Sequence, residues 1–190
     1  MRKKDGSLRI IAGQFRGRKI KTISTIGTRP MTDRVRENLF NILGIDVIRS
    51  RFLDIFAGSG AVGIEAFSRG ASSVVFIELN RKWSAVIDEN VEMLDLESVT
   101  ENLRGDAYEI VSLLASQRDS FDIIFVGAPY HENHHNLMLQ KIIEAGICKE
   151  DGQIVLQYKQ GDVLDLPDGF EVKTRNYGIT DLSFLSLIND

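Results

Sequence analysis

The chain has 190 residues, of which 43% are hydrophobic and 26% charged, and a globular domain of this size can bury a sizeable core. No apolar run reaches the roughly 18 to 20 residues of a membrane helix, and the amino terminus lacks the apolar centre of a signal peptide. We therefore expect a soluble, cytoplasmic protein with no membrane partner. The single cysteine, Cys148, is expected to pack in the interior rather than to act as a nucleophile.

The net charge of −4 is unevenly distributed along the chain. Residues 1–36 hold eleven Lys or Arg against two Asp, a net charge of +9, which leaves −13 for residues 37–190. A basic end of this kind is often only a solvated tail that keeps a protein soluble. The alternative is a surface that binds an acidic partner. The order of the basic residues along the chain helps to distinguish these two explanations.

The first predicted element is a short β-hairpin in RIIAGQFRGRKIKT, residues 9–22. Apolar residues alternate there with cations around two glycines, which predicts a hairpin with one cationic face. Such a face suits a phosphate backbone, because clustered Lys and Arg release its counterions. The cations predicted to bind nucleic acid are Arg9, Arg16, Arg18, Lys19 and Lys21. We assign residues 1–28 to a small basic extension and residues 29–190 to the main domain.

The rest of the chain alternates helices with strands. A helix within residues 28–44 is predicted to be capped by Thr32 or Asp33 and closed by Gly44. The later predicted strands are 52–56, 73–78, 99–103, 121–126, 152–158, 170–178 and 179–188, and the later helices end near residue 70 or span 80–94, 107–116 and 136–146. This alternation predicts an α/β fold, a doubly wound Rossmann-like sheet whose last strand pair is antiparallel.

A glycine motif follows the first strand of this sheet, in FLDIFAGSGAVG. Gly58, Gly60 and Gly63 match the pattern GxGxxG, in which glycine lets the backbone approach a ligand at the start of a helix. Glu78 ends the next strand, twenty residues after Gly58, where it is placed to bind the hydroxyls of a ribose. Together these residues predict a nucleoside cofactor.

Two further carboxylates narrow the choice of cofactor. Asp54 lies in the strand that runs into the glycines, where it would repel the pyrophosphate of a dinucleotide. S-adenosylmethionine has no phosphate and carries an ammonium and a sulfonium, so a carboxylate favours it. Asp106 follows the third strand and can accept a hydrogen bond from an adenine amino group, or cap the next helix.

Several motifs resemble the bacterial small-subunit (16S) ribosomal RNA guanine-N2 methyltransferases over nearly the whole chain. They are RIIAGxFRGRKI, TRPMTDRVRENLFNIL, DxFAGSGAxGIEAxSRGA and RNYGxTxLSF. The resemblance implies a class I S-adenosylmethionine-dependent methyltransferase fold, with a hairpin that contacts 16S ribosomal RNA or the assembling small subunit. It implies cofactor contacts from Arg29, Pro30, Thr32, Asp54, Phe56, Gly58, Gly60, Glu78 and Asp106.

The catalytic motif departs from that family. Its members end the strand FDIIFV with DPPY, whereas this chain has Gly127, Ala128, Pro129 and Tyr130. In the family motif a carboxylate and a backbone carbonyl bind the N–H groups of the target amine, and the aromatic ring stacks on the base. This chain keeps the backbone carbonyls and Tyr130, but it lacks the carboxylate because Gly127 stands in its place. One foreseeable obstacle to restoring aspartate at position 127 is a positive φ angle at Gly127.

Three functions are consistent with the sequence. The first is methylation of guanine N2 in 16S ribosomal RNA, weakened by the glycine. The second is an RNA-binding or ribosome-assembly factor that keeps the fold without the catalysis, and the third is methylation of a DNA base amine. We expect a monomer, although the sequence does not settle the oligomeric state.

The segment HENHH carries three histidines, His131, His134 and His135. We interpret it as a polar loop rather than a metal site, because no carboxylate or thiol at suitable helical spacing completes a ligand set. No metal is expected. His131 is an alternative hydrogen-bond acceptor for the target amine, since it follows Tyr130 directly.

Overall fold

The computed structural model describes residues 5–23, 31–129 and 133–188, and the predicted α/β fold is confirmed. The strands are β1 (Asp5–Arg9), β2 (Lys19–Ile23), β3 (Arg51–Ile55), β4 (Ser73–Glu78), β5 (Thr100–Arg104), β6 (Phe121–Val126), β7 (Cys148–Lys159), β8 (Phe170–Tyr177) and β9 (Thr180–Leu187). The helices are α1 (Asp33–Leu43), α2 (Ala61–Ser68), α3 (Arg81–Met93), α4 (Ala107–Ser116) and α5 (His134–Ala145), and a 3-10 turn follows α1. None of the described helices is long and apolar enough to cross a bilayer.

Seven of these strands form one sheet in the order β5-β4-β3-β6-β7-β9-β8. Strands β3 to β7 pair in parallel, whereas β9 is antiparallel to both β7 and β8, as the sequence predicts. The chain leaves β3 toward β4 and β5, then returns to the other side of β3 with β6. This reversal opens a crevice at the carboxyl ends of β3 and β6, where sheets of this kind bind ligands.

Helices cover both faces of the sheet, which is why its central strands are apolar on both sides. One face packs against α1, α2 and α3 in a core that includes Phe40, Phe52 and Phe76. The other face packs against α4 and α5 in a core that includes Leu53 and Met138. We refer to these as the α1 face and the α5 face. The two layers hold the carboxyl ends of the strands in fixed positions.

The amino-terminal hairpin is packed on the α1 face. Strands β1 and β2 pair antiparallel, and the neighbouring Ile10 and Ile20 are each only 2% exposed because they enter the same core as α1 to α3. Phe15 stacks on Phe67 of α2, with ring centroids 6.3 Å apart. The hairpin predicted from the alternating pattern is confirmed, and it shares its apolar core with the main sheet.

A buried carboxylate secures this docking. Glu65 of α2 is fully buried, and its two oxygens accept hydrogen bonds from the backbone N–H of Ile11 at 2.8 Å and of Ala12 at 3.0 Å. The guanidinium of Arg69 donates to the same group at 2.8 Å, and Nε of Arg36 lies 3.8 Å away. A buried charge is tolerated only when it is paired and hydrogen-bonded, and Glu65 meets both conditions.

Arg36 was counted above among the cations of a basic end, but it does not belong to the surface. Only 1% of it is exposed, and its Nη2 donates to the carbonyl of Arg9 at 2.6 Å and to Asp33 at 3.0 Å. Burial lowers the pKa of Arg36, and the nearby charge of Glu65 opposes that shift. Arg36 therefore joins α1 to the hairpin and does not offer its charge to a ligand.

Cys148 has the packing role that the sequence predicts. It begins β7, four residues before the predicted start of that strand, and packs against the core of the α5 face. Burial, together with the charge of Asp122, raises the pKa of its thiol to about 11. A thiol with so high a pKa is a poor nucleophile at neutral pH.

Replacing Glu65 with alanine should destabilise the protein by about 3–5 kcal/mol, because Ile11, Ala12 and Arg69 would lose their buried acceptor and Arg36 would lose one of its two carboxylate neighbours. Urea unfolding followed by circular dichroism would measure this loss. The matched control is Glu89→Ala, which removes a carboxylate 51% exposed and paired at 2.7 Å with Lys21. That surface pair should contribute at most about 1 kcal/mol. Equal losses in the two variants would contradict the anchoring role of Glu65.

Candidate functional site

Four of the residues predicted to form a site lie at one edge of the sheet. Asp54 is the penultimate residue of β3, and Glu78 is the last residue of β4. Asp106 lies two residues after β5, and Gly127 directly follows β6. Because these four strands are parallel, their carboxyl ends open toward the same crevice. The sequence motifs, up to 73 positions apart, are thus brought to neighbouring strand ends.

The glycine loop connects β3 to α2. Gly58 has a φ angle of +57° and Gly60 one of +74°, both in the left-handed region that favours glycine. Gly63 has a different reason: a Cβ there would lie 2.4 Å from the ring of Phe76, so only glycine lets α2 pack so closely on the sheet. Each glycine of the motif is therefore required by the backbone geometry.

Asp54 holds the start of α2 from inside the protein. Its side chain is 1% exposed, and Oδ2 accepts a hydrogen bond from the backbone N–H of Gly63 at 2.9 Å. Burial raises the pKa of Asp54 to about 8, the Gly63 hydrogen bond opposes the shift, and the charge of Glu78 adds to it. At neutral pH, Asp54 therefore retains a proton in most molecules, and its contact with a cofactor stays a prediction.

Glu78 fixes the glycine loop from the neighbouring strand. One of its oxygens accepts from the backbone N–H of Gly58 at 2.8 Å, and the other from that of Asn80 at 2.8 Å. Burial raises the pKa of Glu78, although these hydrogen bonds favour the charged form. A carboxylate can accept about four hydrogen bonds, so Glu78 has capacity for the hydroxyls of a ribose.

Phe56 links the turn after β3 to the turn after β6. Its φ angle of +61° is unusual for an aromatic residue and marks local backbone strain, which is often found at functional sites. Its carbonyl oxygen would lie 3.7 Å from a Cβ at Gly127. The backbone of the predicted cofactor loop therefore lies against the predicted catalytic turn.

Asp106 caps α4, which was one of its two predicted roles. Its Oδ1 accepts from the backbone N–H of Tyr108 at 2.9 Å and of Glu109 at 3.2 Å. The capping role is confirmed. Contact with an adenine amino group stays a prediction, and the second oxygen of the carboxylate leaves room for it.

The interpretation of HENHH as a polar loop is wrong for two of its histidines. His134 and His135 form the first turn of α5, where Tyr108 hydrogen-bonds to Nδ1 of His134 at 2.8 Å. His135 is 5% exposed and stacks on Tyr158 with ring centroids 4.9 Å apart. Tertiary contacts therefore extend the helix over polar residues. Within the described ranges there is no cluster of three potential metal ligands.

The catalytic turn begins at Gly127, whose backbone N–H donates to the carbonyl of Ile55 at 3.0 Å. The foreseen obstacle to an aspartate here is wrong, because Gly127 is not among the residues with positive φ. A Cβ at this position would lie 3.1 Å from the ring of Phe125, which would have to shift by a few tenths of an ångström. Ala128 is buried and Pro129 is exposed.

Some predicted site residues lie outside the described part of the chain. They are Arg29, Pro30, Tyr130 and His131. Thr32 is described: it caps α1, and its hydroxyl accepts a hydrogen bond from the backbone N–H of Val35 at 3.3 Å.

The predicted RNA-binding cations Arg9, Arg16, Arg18, Lys19 and Lys21 are all exposed. Two of them, however, also form contacts with α3. Lys21 forms an ion pair with Glu89 at 2.7 Å, and the guanidinium of Arg18 donates to the carbonyl of Met93 at 2.7 Å. The hairpin therefore presents a cationic surface that is partly engaged with α3.

Sequence reasoning missed two buried polar residues, Asn90 and Glu65, that hold the hairpin and the glycine loop in place. Asn90 of α3 exchanges hydrogen bonds with the backbone of Lys21 and donates to the carbonyl of Ser59 in the glycine loop at 3.0 Å. Its position beside Ile87 and Val91 on the apolar stripe of α3 was a detectable signal. Glu65 had a similar signal, as a lone carboxylate in the apolar stretch AVGIEAF.

Comparisons with known proteins agree with this geometry. Residues 8–186 match the family model described as Conserved hypothetical protein 95. The chain is 35% identical to the Bacillus subtilis "Putative rRNA methyltransferase YlbH", covering 91% of this chain and 95% of that protein. It is 32% identical to the Haemophilus influenzae "Ribosomal RNA small subunit methyltransferase D", covering 92% and 91% respectively. A solved structure, "Putative methyltransferase yhhF from Escherichia coli", superimposes with a TM-score of 0.84 at 29% identity, covering 96% of this chain and 98% of that one.

The raised pKa of Asp54 makes a prediction about the pH dependence of stability. The pKa of Asp54 is near 4 in the unfolded chain and about 8 in the folded protein. Between these two pH values the unfolded chain has lost the proton of Asp54, whereas the folded protein keeps it. Raising the pH through that window therefore favours unfolding. Asp54→Asn cannot titrate and keeps an oxygen for Gly63, so its free energy of unfolding should fall less than that of the parent between pH 5 and pH 8.

Urea titrations at pH 5, 6.5 and 8 would measure this difference. The matched control is Asp46→Asn, an exposed carboxylate, which should follow the parent across the whole range. If the parent instead gained stability relative to Asp54→Asn as the pH rose, Asp54 would be ionised in the folded protein at neutral pH.

Proposed function

Because this chain belongs to the family described as Conserved hypothetical protein 95, we propose that it transfers a methyl group from S-adenosylmethionine to the exocyclic N2 of a guanine in 16S ribosomal RNA. The name of the Haemophilus influenzae relative supports a small-subunit ribosomal RNA substrate. The substrate is then the RNA itself or the assembling small subunit, in the cytoplasm.

The observation that carries the choice of cofactor is the hydrogen bond from Gly58 to Glu78. In a dinucleotide site, the backbone N–H groups of the glycine loop bind a pyrophosphate. Here the N–H of Gly58 already donates to the carboxylate of Glu78 and is not free to bind a phosphate. A cofactor without phosphate and with a positive sulfonium suits this loop.

The described residues fit S-adenosylmethionine when they are taken along the crevice. Glu78 binds the ribose hydroxyls, and Asp106 accepts a hydrogen bond from the adenine amino group. The methionine end lies against the loop formed by Phe56, Gly58 and Gly60, with the carboxyl of Asp54 behind it. The family resemblance adds Arg29, Pro30 and Thr32 as further proposed cofactor contacts. The cofactor supplies a methyl group activated by the positive charge of its sulfur.

The turn at Gly127 positions the target amine. An exocyclic amine is a weak nucleophile because its lone pair is delocalised into the base, so it needs acceptors that hold its N–H groups and aim that lone pair. The carbonyls of Gly127 and Ala128 supply acceptors, and Tyr130 stacks on the base. The absent carboxylate costs about 1.5–3 kcal/mol of hydrogen bonding, or about 10- to 150-fold in rate.

Gly127 itself favours a second function, an RNA-binding or assembly factor that no longer methylates. Single-turnover transfer of labelled methyl groups separates the two. The acceptors are undermodified small-subunit particles, naked 16S ribosomal RNA and duplex DNA. Transfer to the particles or to the RNA supports the enzyme, binding without transfer supports the assembly factor, and transfer to DNA alone would overturn both.

The ribose contact makes a prediction about cofactor affinity. Glu78→Ala should weaken the binding of S-adenosylmethionine by about 1.5–3 kcal/mol, because the charged hydrogen bonds to the ribose are lost. Isothermal titration calorimetry would measure the change. The matched control is Glu89→Ala, which removes an exposed carboxylate of α3. NAD binding as tightly as S-adenosylmethionine to the parent protein would contradict the cofactor assignment.

Restoring the carboxylate tests the role of Gly127. Gly127→Asp should raise the single-turnover rate at least about tenfold and leave RNA and cofactor affinity nearly unchanged, because the new contact acts mainly on the transition state. Gly127→Ala is the matched control, since it adds the same Cβ against Phe125 without a carboxylate. Combining Gly127→Asp with Ala128→Pro also restores the proline of the family motif, which fixes the backbone φ angle in this turn.

Two outcomes would decide against this role. If Gly127→Asp folds, binds both ligands and transfers no faster than Gly127→Ala, the missing carboxylate does not limit the rate. His131 as the acceptor, or the assembly factor, would then be favoured.

A further inference from the structure

The described cations at the tip of the amino-terminal hairpin lie far from the catalytic turn. Gln14 donates from its backbone to the carbonyl of Ser68, and Arg18 donates to that of Met93. These two carbonyls end α2 and α3, and both helices run from the carboxyl edge of the sheet to its amino edge. The loop that carries Arg16 and Arg18 is therefore near the edge opposite Gly127.

A second group of cations lies level with the catalytic turn, on the outermost strand β8. Val126 pairs with Leu156, so Gln157 lies beside the turn that begins at Gly127. Gln157 in turn pairs with Leu182 of β9, and Leu182 pairs with Arg175 of β8. With about 4.8 Å between neighbouring strands, Arg175 is about 14 Å from the turn, across the sheet.

Arg175 also lies on the same face of the sheet as the hairpin. Side chains alternate along a strand, and Phe170 and Val172 pack on the α5 face whereas Tyr177 packs on the α1 face. Lys173 and Arg175 therefore point to the α1 face.

Both cations are available to a ligand. Lys173 is 66% exposed and only loosely paired with Glu171, at 3.5 Å between two exposed groups. Arg175 is exposed, and the hydrogen bond described for its guanidinium is to the neighbouring carbonyl of Thr174 at 3.1 Å. None of the ion pairs between described residues includes Arg175.

We propose that Lys173 and Arg175 form a second RNA-contact surface, which binds phosphates on the side of the target base away from the hairpin. The inference rests on the proposed function. A base that is turned out of its helix has phosphates on both sides, and contacts to those phosphates position the nucleic acid. The planar guanidinium of Arg175 is suited to bind a phosphate through two hydrogen bonds.

The same cations have a simpler explanation, which the experiment must separate from this one. Charged side chains on an edge strand prevent sheets from pairing edge to edge. That protection is served by Glu171 as well as by Lys173, because either sign of charge resists pairing. RNA binding, in contrast, depends on the sign.

The test measures binding of a 16S ribosomal RNA transcript over a range of salt concentrations. The double variant Lys173→Gln with Arg175→Gln should bind about tenfold more weakly near physiological salt. Each phosphate contact contributes about 0.9 to the slope of log affinity against log salt, so the slope should fall by about 2. Glu171→Gln should strengthen binding, because it removes a negative charge beside Lys173.

Arg118→Gln is the control, because it removes one positive charge from an exposed residue just after α4, which packs on the α5 face, whereas the hairpin and Lys173 and Arg175 lie on the α1 face. It should leave affinity and salt slope nearly unchanged. S-adenosylmethionine affinity, measured in parallel, should be the same in all variants, since none of them touches the crevice.

The outcomes separate this inference from the function on which it rests. If the parent neither binds the RNA nor transfers a methyl group to small-subunit particles, the proposed function fails. If the parent does both and the double variant binds like Arg118→Gln, only the second surface is overturned. If the double variant loses affinity for particles but not for naked RNA, the surface binds a ribosomal protein, and the RNA inference is again overturned.

Discussion

Two hydrogen bonds, donated by backbone N–H groups to carboxyl groups, determine the shape of the crevice. Glu78 binds Gly58 at one end of the glycine loop, and Asp54 binds Gly63 in the first turn of α2. The carboxyl groups come from adjacent parallel strands, so the loop is held in place by the sheet itself. A loop held in this way has its conformation before any ligand arrives, which reduces the entropy lost on binding.

The helix α2 joins the cofactor loop to the hairpin. Its first turn is bonded to Asp54, its middle carries Glu65, and its last residue, Ser68, binds the hairpin loop through both its hydroxyl and its carbonyl. Because an α-helix is stiff over eight residues, these three contacts keep a fixed separation. The same segment therefore positions a candidate cofactor site and a candidate RNA-contact surface in one rigid unit.

The departure from the family motif at Gly127 leaves the pairing of β6 with β3 intact. The strand β6 ends in register with β3, the N–H of Gly127 binds Ile55, and the carbonyl of Phe56 lies close by. The scaffold that would aim a target amine is thus intact, and what is missing is one side chain. The ring of Phe125 uses part of the space beside that position, which suggests that the packing has adjusted to a residue without Cβ.

The sequence by itself determined the order of strands and helices, the glycine motif and the acidic strand end at Glu78, because these depend on local periodicity and on residues close in the chain. It did not determine that Arg36 and Glu65 are buried, that His134 and His135 start α5, or that the hairpin tip lies near the far edge of the sheet. Those features depend on contacts such as the one between Ile11 and Glu65, 54 residues apart. Only the tertiary structure decides them, because burial and charge pairing are properties of the surroundings that distant segments create together.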